Sequence, residues 1–170
     1  LWVPLLSEPL ILGIDPGSSV TGWALLYKGG SVKDFGTIRL PAKERLSKRR
    51  AILFEAVSHL IDAHAPVSVA VERPFVDKNP RSALTLGMAF GVIVLAATLK
   101  GVSVYQYPPA LPKRAVGAGG RASKEQVQKM VQITLGLPQL PTPQDAADAL
   151  AIAVCHLHSM ANPTHTGEEM

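Results

Sequence analysis

"LILGIDPG" (10–17) joins an apolar run, of the kind that fills a buried strand, to a carboxylate and a Pro-Gly turn. A charge at the edge of a core is costly unless a cap, an ion pair or a bound cation compensates it. Asp15 therefore marks a position for which the rest of the chain must supply a reason.

Outward from that strand, turn signals at Pro16-Gly17-Ser18 and Gly29-Gly30 separate segments 10–15, 20–27 and 31–39, an antiparallel meander. "ERLSKRRAILFEAVSHLIDAHA" then sets Leu46, Leu53, Val57, Leu60 and Ile61 at helical spacing, closed by Pro66. "VSVAVE" (67–72) reads as a buried strand rich in β-branched residues. A helix over about 81–100 and a strand over 102–107 follow. Strands alternating with long helices imply parallel crossovers added to the meander, hence an α/β fold with a mixed, five-stranded sheet flanked by helices.

Beyond it, 108–121 reads as irregular and rich in proline and glycine. Ser123 with Gln126 forms a capping-box pattern for a helix ending at Gly136. The last helix is expected from Thr142-Pro143 to about Ser159. The expected organisation is an extension over 1–9, one domain over 10–160 and a mobile tail over 161–170.

The composition is that of a globular protein, 47% hydrophobic, with a net charge of +4. The lone Cys155 fits a reducing compartment, and "LWVPLLSEPLILG" carries no basic leader, so a cytoplasmic protein is expected. The apolar stretch 82–99 is short for a bilayer span and holds Ser82, Thr85, Thr98 and two glycines, so it is expected to be a buried helix. Basic residues gather in "KERLSKRR" (43–50), "KNPR" (78–81), "KR" (113–114) and "RASKEQVQK" (121–129). One such cluster is ordinarily a solvated face; four together point to a polyanion.

Three more acids share Asp15's situation. Glu72 ends the fourth strand as Asp15 ends the first, and strand ends are where open α/β sheets bind ligands. In "PQDAADALAIAV", Asp145 and Asp148 lie three apart on one helix face among alanines, ahead of wholly apolar turns. Each has an ordinary explanation: an Asx-turn for Asp15, a macrodipole contact for Asp145, an arginine partner for Glu72 or Asp148. None explains four acids ending core-facing elements of a basic protein. Hard divalent cations do, because Mg²⁺ and Mn²⁺ take carboxylate oxygens and relieve their repulsion. Two ions per subunit, about 3.5–4 Å apart, would clamp a phosphodiester during in-line displacement. Setting these acids aside leaves nine against 17 Lys and Arg, an acidic pocket in a basic surface. Zinc is not suggested: no paired cysteines occur, and His156 and His158 fall on different helix faces.

At these residues the sequence resembles the RuvC family of Holliday-junction resolvases, through "LGIDPGSSVTGWAL", "VERPFVDKNPRSALTLG", "GRASKEQVQKMV" and "DAADALAIAVCHLH". The resemblance runs from about Ile11 to His158. It implies a ribonuclease H-like fold, a homodimer, symmetric nicking of four-way junction DNA, and a branch-migration helicase complex as partner. It places the catalytic carboxylates and metal ligands at Asp15, Glu72, Asp145 and Asp148. Phe75 matches an aromatic used against bases near the crossover; packing within its own loop is the alternative. Lys113 and Lys124 match lysines beside the active site, where they either neutralise developing phosphate charge or attract phosphate generally. Lys78, Arg81, Arg114 and Arg121 complete the expected DNA contacts. The chain departs from the family pattern in its first residues, in a one-residue-longer "GAGGRAS", and in Met88 and Phe90 of "GMAFG", where more polar residues are usual. The competing readings are a related nuclease for RNA–DNA hybrids and a non-catalytic junction-binding protein.

Overall fold

The computed structural model describes residues 8–75, 79–162 and 167–170. Its sheet is assembled from β1 (Leu10–Asp15), β2 (Val20–Tyr27), β3 (Val32–Arg39), β4 (Ser68–Glu72), β5 (Ser103–Tyr107) and β6 (Glu168–Glu169), in the order β3-β2-β1-β4-β5-β6. The first three strands form the antiparallel meander, and β4 and β5 extend it in parallel with β1. Helices α1 (Leu46–His64) and α2 (Pro80–Leu99) link β3 to β4 and β4 to β5; α3 (Ala110–Ala115), α4 (Lys124–Leu135) and α5 (Gln144–Ala161) follow.

Strand alternation decides where the acids emerge. Leu10, Leu12 and Ile14 of β1 and Val69 and Val71 of β4 share a core with Leu53, Val57, Ala89 and Ile93 of α1 and α2. The intervening residues face α5: Ile11 packs with Ala149 and Ala153, and Ala70 with Ile152. By the same period, Asp15 and Glu72 end their strands on the α5 side. The register pairs Gly13 with Ala70 and Ile14 with Val71, so its continuation sets Asp15 beside Glu72.

Helix α5 lies unusually close to the sheet. A Cβ at Gly13 would stand 2.5 Å from the Ala149 carbonyl oxygen, and one at Gly22 would stand 1.9 Å from that of Asp145. Gly22 is the register partner of Asp15, so this bare backbone lets the first turn of α5 sit over the end of β1. Farther along α5, buried His156 joins Ser68 Oγ (2.8 Å from Nε2) and Tyr107 Oη (2.6 Å from Nδ1), pinning the helix to β4 and β5. Burial lowers its pKa to about 4, which makes it a neutral peg. His158 is exposed, so the two histidines do point to different faces.

Three expectations need correction. The sheet has six strands rather than five: Glu168 and Glu169, in the stretch expected to be a mobile tail, pair with Gln106 and Tyr105. Two polar residues held by backbone pairing and by Gln106 Nε2 donating to Glu168 Oε2 (2.8 Å) have no apolar alternation to betray them. The segment 108–121 contains helix α3; its prolines fall before or within the first turn, where no intrahelical N–H is needed. Third, α2 is not a buried helix. It is 20 residues long, enough to cross a bilayer by length and composition. It buries Ala89, Ile93, Ala96 and Ala97, but Leu84 (62%), Leu95 (51%) and Leu99 (66%) stay exposed.

Candidate active site

At the carboxyl ends of β1 and β4, α3, α4 and α5 close a cleft of about 160 Å³. It is lined by Asp15, Glu72, Asp148, Lys113 and Lys124, with Pro109, Pro112, Val127 and Ala151 as its apolar walls. Each charged group arrives for a local reason. Asp15 and Glu72 are the terminal α5-facing residues of adjacent parallel strands. Asp148 is one turn into α5, held against the sheet by its alanines. Lys124 is the first residue of α4, whose start is fixed by the Ser123–Gln126 capping box. Lys113 sits on α3, its Nζ donating to the Ala122 carbonyl at 3.3 Å. Asp145 does not line the cleft; it stands at its margin in the first turn of α5, close enough to act electrostatically on Asp15, Asp148 and Lys124.

The electrostatics are those of acids forced together. Burial, then the charges of Glu72 and Asp148, push the Asp15 carboxyl well above the usual carboxylate range. Burial and Asp148 raise Glu72 to about 7, although Lys113 and Lys124 pull the other way. Burial also raises Asp148, against the opposing charge of Lys124. Lys124 Nζ lies 3.3 Å from Asp148 Oδ2. Burial alone would lower the lysine's pKa, but Asp148, Asp15 and Asp145 outweigh it and the net shift is upward. The ordinary arginine partners are not used: Arg73 pairs with Glu168 (3.9 Å), and among the described residues no arginine pairs with Glu72 or Asp148.

This donor set suits a hard divalent cation. It offers carboxylate oxygens only, and its ionised form lacks enough positive charge to balance it. Among the described residues no three metal-binding side chains close into a finished cage. Carboxylates spread around a cleft, rather than closed into a cage, leave coordination positions for water and phosphate oxygens, as Mg²⁺ sites for phosphoryl chemistry do.

The other expected DNA contacts are spread around this centre. Phe75 is 70% exposed and lines an adjoining cavity of about 590 Å³ with Glu72, Arg73, Pro74 and Pro109. Arg81 borders a separate cleft beyond the β1–β2 turn. Arg114 is turned away from the acids, into a cavity with Cys155 and His158. Arg121 is exposed ahead of α4, and Lys78 lies outside the described residues. Motif reading missed Pro109 and Pro112, which wall the cleft; their proline-rich segment carried no periodic signal.

The sequence profile described as crossover junction endodeoxyribonuclease RuvC matches residues 11–156. The chain belongs to the RuvC family. A RuvC of Protochlamydia amoebophila is 48% identical over 153 residues, covering 88% of this chain and 91% of the relative. One from Desulfitobacterium hafniense is 44% identical, with 89% and 93% covered. The RuvC structure of Thermus thermophilus superposes with a TM-score of 0.82 at 30% identity over 95% of this chain and 99% of that one. The Thermus thermophilus RuvC solved in complex with a Holliday junction substrate gives 0.83 at 29% identity over 96% and 100%. The mixed sheet flanked by helices is thus the ribonuclease H-like architecture of RuvC nucleases.

Proposed function

We propose that this RuvC-family nuclease is a divalent-metal-dependent resolvase of four-way DNA junctions that acts as a homodimer in the cytoplasm. The observation that carries the reading is the convergence of Asp15, Glu72 and Asp148 with Lys113 and Lys124 in one cleft, with Asp145 at its margin. Residues 10–160 form the nuclease unit in this reading. A branch-migration helicase complex as partner rests on the family resemblance alone.

Asp15, Glu72, Asp145 and Asp148 are the residues that would hold two Mg²⁺ or Mn²⁺ ions. When bound, these ions supply an activated water and stabilise the departing 3′ oxygen. The water oxygen bonds to phosphorus, the P–O3′ bond breaks, and a proton passes to O3′, leaving a 5′-phosphate and a 3′-hydroxyl. Lys124 pairs with Asp148 (3.3 Å); with that carboxylate engaged by a cation, its ammonium would be free to face the phosphate. Lys113 supplies a second positive charge on the same wall. Phe75, exposed beside Glu72, stacks on an unpaired base at the crossover.

A second copy of the chain covers α2. Leu84, Met88, Leu95 and Leu99 fall four, seven and four residues apart, an uncovered seam on one helix face. Met88, unusual for its position, lies on that seam at 41% exposure, whereas Phe90 packs towards the core. Two-fold pairing gives each of two symmetric strands its own cleft.

The test compares cleavage of four-way junction, linear duplex and RNA–DNA hybrid by the wild type and Asp15→Asn. Paired nicks confined to the junction, lost in Asp15→Asn while junction binding persists, are expected. Preferential cutting of hybrid, or undiminished cutting by Asp15→Asn, overturns the reading.

A further inference from the structure

Beyond the β1–β2 turn, on the α1 and α2 side of the sheet, lies a cleft of about 400 Å³ that the catalytic reading does not use. Ser18, Ser19, Arg49, Arg81, Ser82 and Thr85 line it. Arg49 Nη2 donates to the Ser18 carbonyl and to Ser19 Oγ (3.2 Å), which fixes its guanidinium against the turn. Its Nε is buried without a partner. Behind the cleft, Arg50 is only 9% exposed; its Nη2 donates to the Thr85 carbonyl at 3.1 Å, while Nε and Nη1 have no partner. Burial and the neighbouring Arg49 charge lower its pKa.

Three guanidinium groups thus gather here, and among the described residues none of the three has a carboxylate partner. The ion pairs among the described residues are Arg73–Glu168, Lys100–Asp62 and Lys124–Asp148. Clustered, partly buried cations with unmet N–H groups are costly without an anion. The α2 amides are not the donors, because Asn79 Oδ1 already accepts from the N–H groups of Arg81 and Ser82. The anion-facing groups are side chains: the guanidinium forks, which match phosphate geometry, and the serine hydroxyls.

The cleft is separate from the active site but lies at the same end of the sheet. Ser18 is three residues after Asp15, and α2 begins soon after Glu72, so both sites open where β1 and β4 end. We infer that the cleft lined by Ser18, Ser19, Arg49, Arg81 and Ser82 seats one non-scissile phosphodiester of the DNA, fixing the substrate's register over the catalytic acids. This rests on the resolvase reading and extends it by a second phosphate anchor on the opposite face of the sheet.

The test is binding of a four-way junction in chelator, where no cutting occurs, with single phosphates replaced in turn by neutral methylphosphonates. The wild type is expected to lose about tenfold in affinity at one non-scissile linkage. Arg81→Gln is expected to bind the unmodified junction about tenfold more weakly, with a log–log salt slope shallower by about 1, and to be indifferent to substitution at that linkage. Arg49→Lys, which keeps the charge but not the fork, should lose sensitivity at the same linkage. Lys43→Gln, an exposed basic residue outside the cleft, should keep it. Full sensitivity at every linkage in Arg81→Gln, or sensitivity of the wild type at the scissile linkage alone, overturns the inference. A wild type that binds junctions in this way but does not cut them would instead sink the resolvase reading and leave the anchor standing.

Discussion

Replacing Glu72 by Gln should destroy activity and yet stabilise the metal-free protein. The Glu72 carboxyl is held at about 7 against an ordinary 4.5, by burial and by Asp148. Below pH 4.5 the side chain is protonated in both folded and unfolded chains, and the fold loses nothing. Between 4.5 and 7 the unfolded chain releases its proton and the folded one resists, so stability falls; above 7 the full penalty applies. A shift of that size corresponds to about 3 kcal/mol. Gln keeps the shape and cannot ionise, but burying its amide returns about 1 kcal/mol. The net expectation is about 2 kcal/mol of added stability at pH 8, or about 4–8 °C in a chain of this size. Thermal unfolding in chelator across pH 4 to 8 is the assay. The variant should be about 1 kcal/mol less stable than the wild type at pH 4, where only the amide cost acts, and should overtake it as the pH rises towards 7. Added Mg²⁺ should raise the wild type more than the variant, since a ligand stabilises the state that binds it. A variant equal to or less stable than the wild type at pH 8, or a gain independent of pH, would refute the argument that burial, together with neighbouring charge, makes these ionised acids costly without a cation.

Other outcomes follow from particular contacts. Leu95→Glu, at the exposed seam of α2, should convert a dimer in sedimentation to a monomer without lowering thermal stability; an unchanged dimer would remove α2 from the interface. Phe75→Ala should weaken junction cleavage by about 1–3 kcal/mol in kcat/KM, the worth of one stacked base, and leave melting unchanged. Gly22→Ala should misplace the first turn of α5, because its Cβ meets the Asp145 carbonyl oxygen at 1.9 Å. Cleavage should fall at least tenfold, with loss of metal-induced stabilisation as the accompanying sign.

Much of this was legible in the chain because the decisive features are local. The apolar run LILGID, the Pro-Gly turn and the paired aspartates of α5 each announce a strand end or a helix face; Asp15 and Asp148 do share the cleft with Glu72, while Asp145 stays at its margin. The capping box at Ser123 fixed the start of α4, and hence the position of Lys124. What escaped lacks local periodicity. β6 exists because two glutamates find a free edge of β5, a long-range event with no apolar alternation. α3 was hidden by prolines that its first turn tolerates. The exposure of α2 was missed because an apolar helix reads alike whether its cover is its own sheet or a second protein surface. Arg49 and Arg50 looked like part of a solvated charge run until the fold placed them behind the β1–β2 turn.

The central claim is that these carboxylates exist to share cations over a phosphate. Crystals soaked in Mn²⁺ and measured for anomalous scattering test it directly. The account predicts two peaks about 3.5–4 Å apart between Asp15, Glu72 and Asp148, with Asp145 completing the outer position, and their loss in Asp15→Asn. A cleft without manganese at saturating concentration, in a protein that nonetheless cuts junctions, would contradict it.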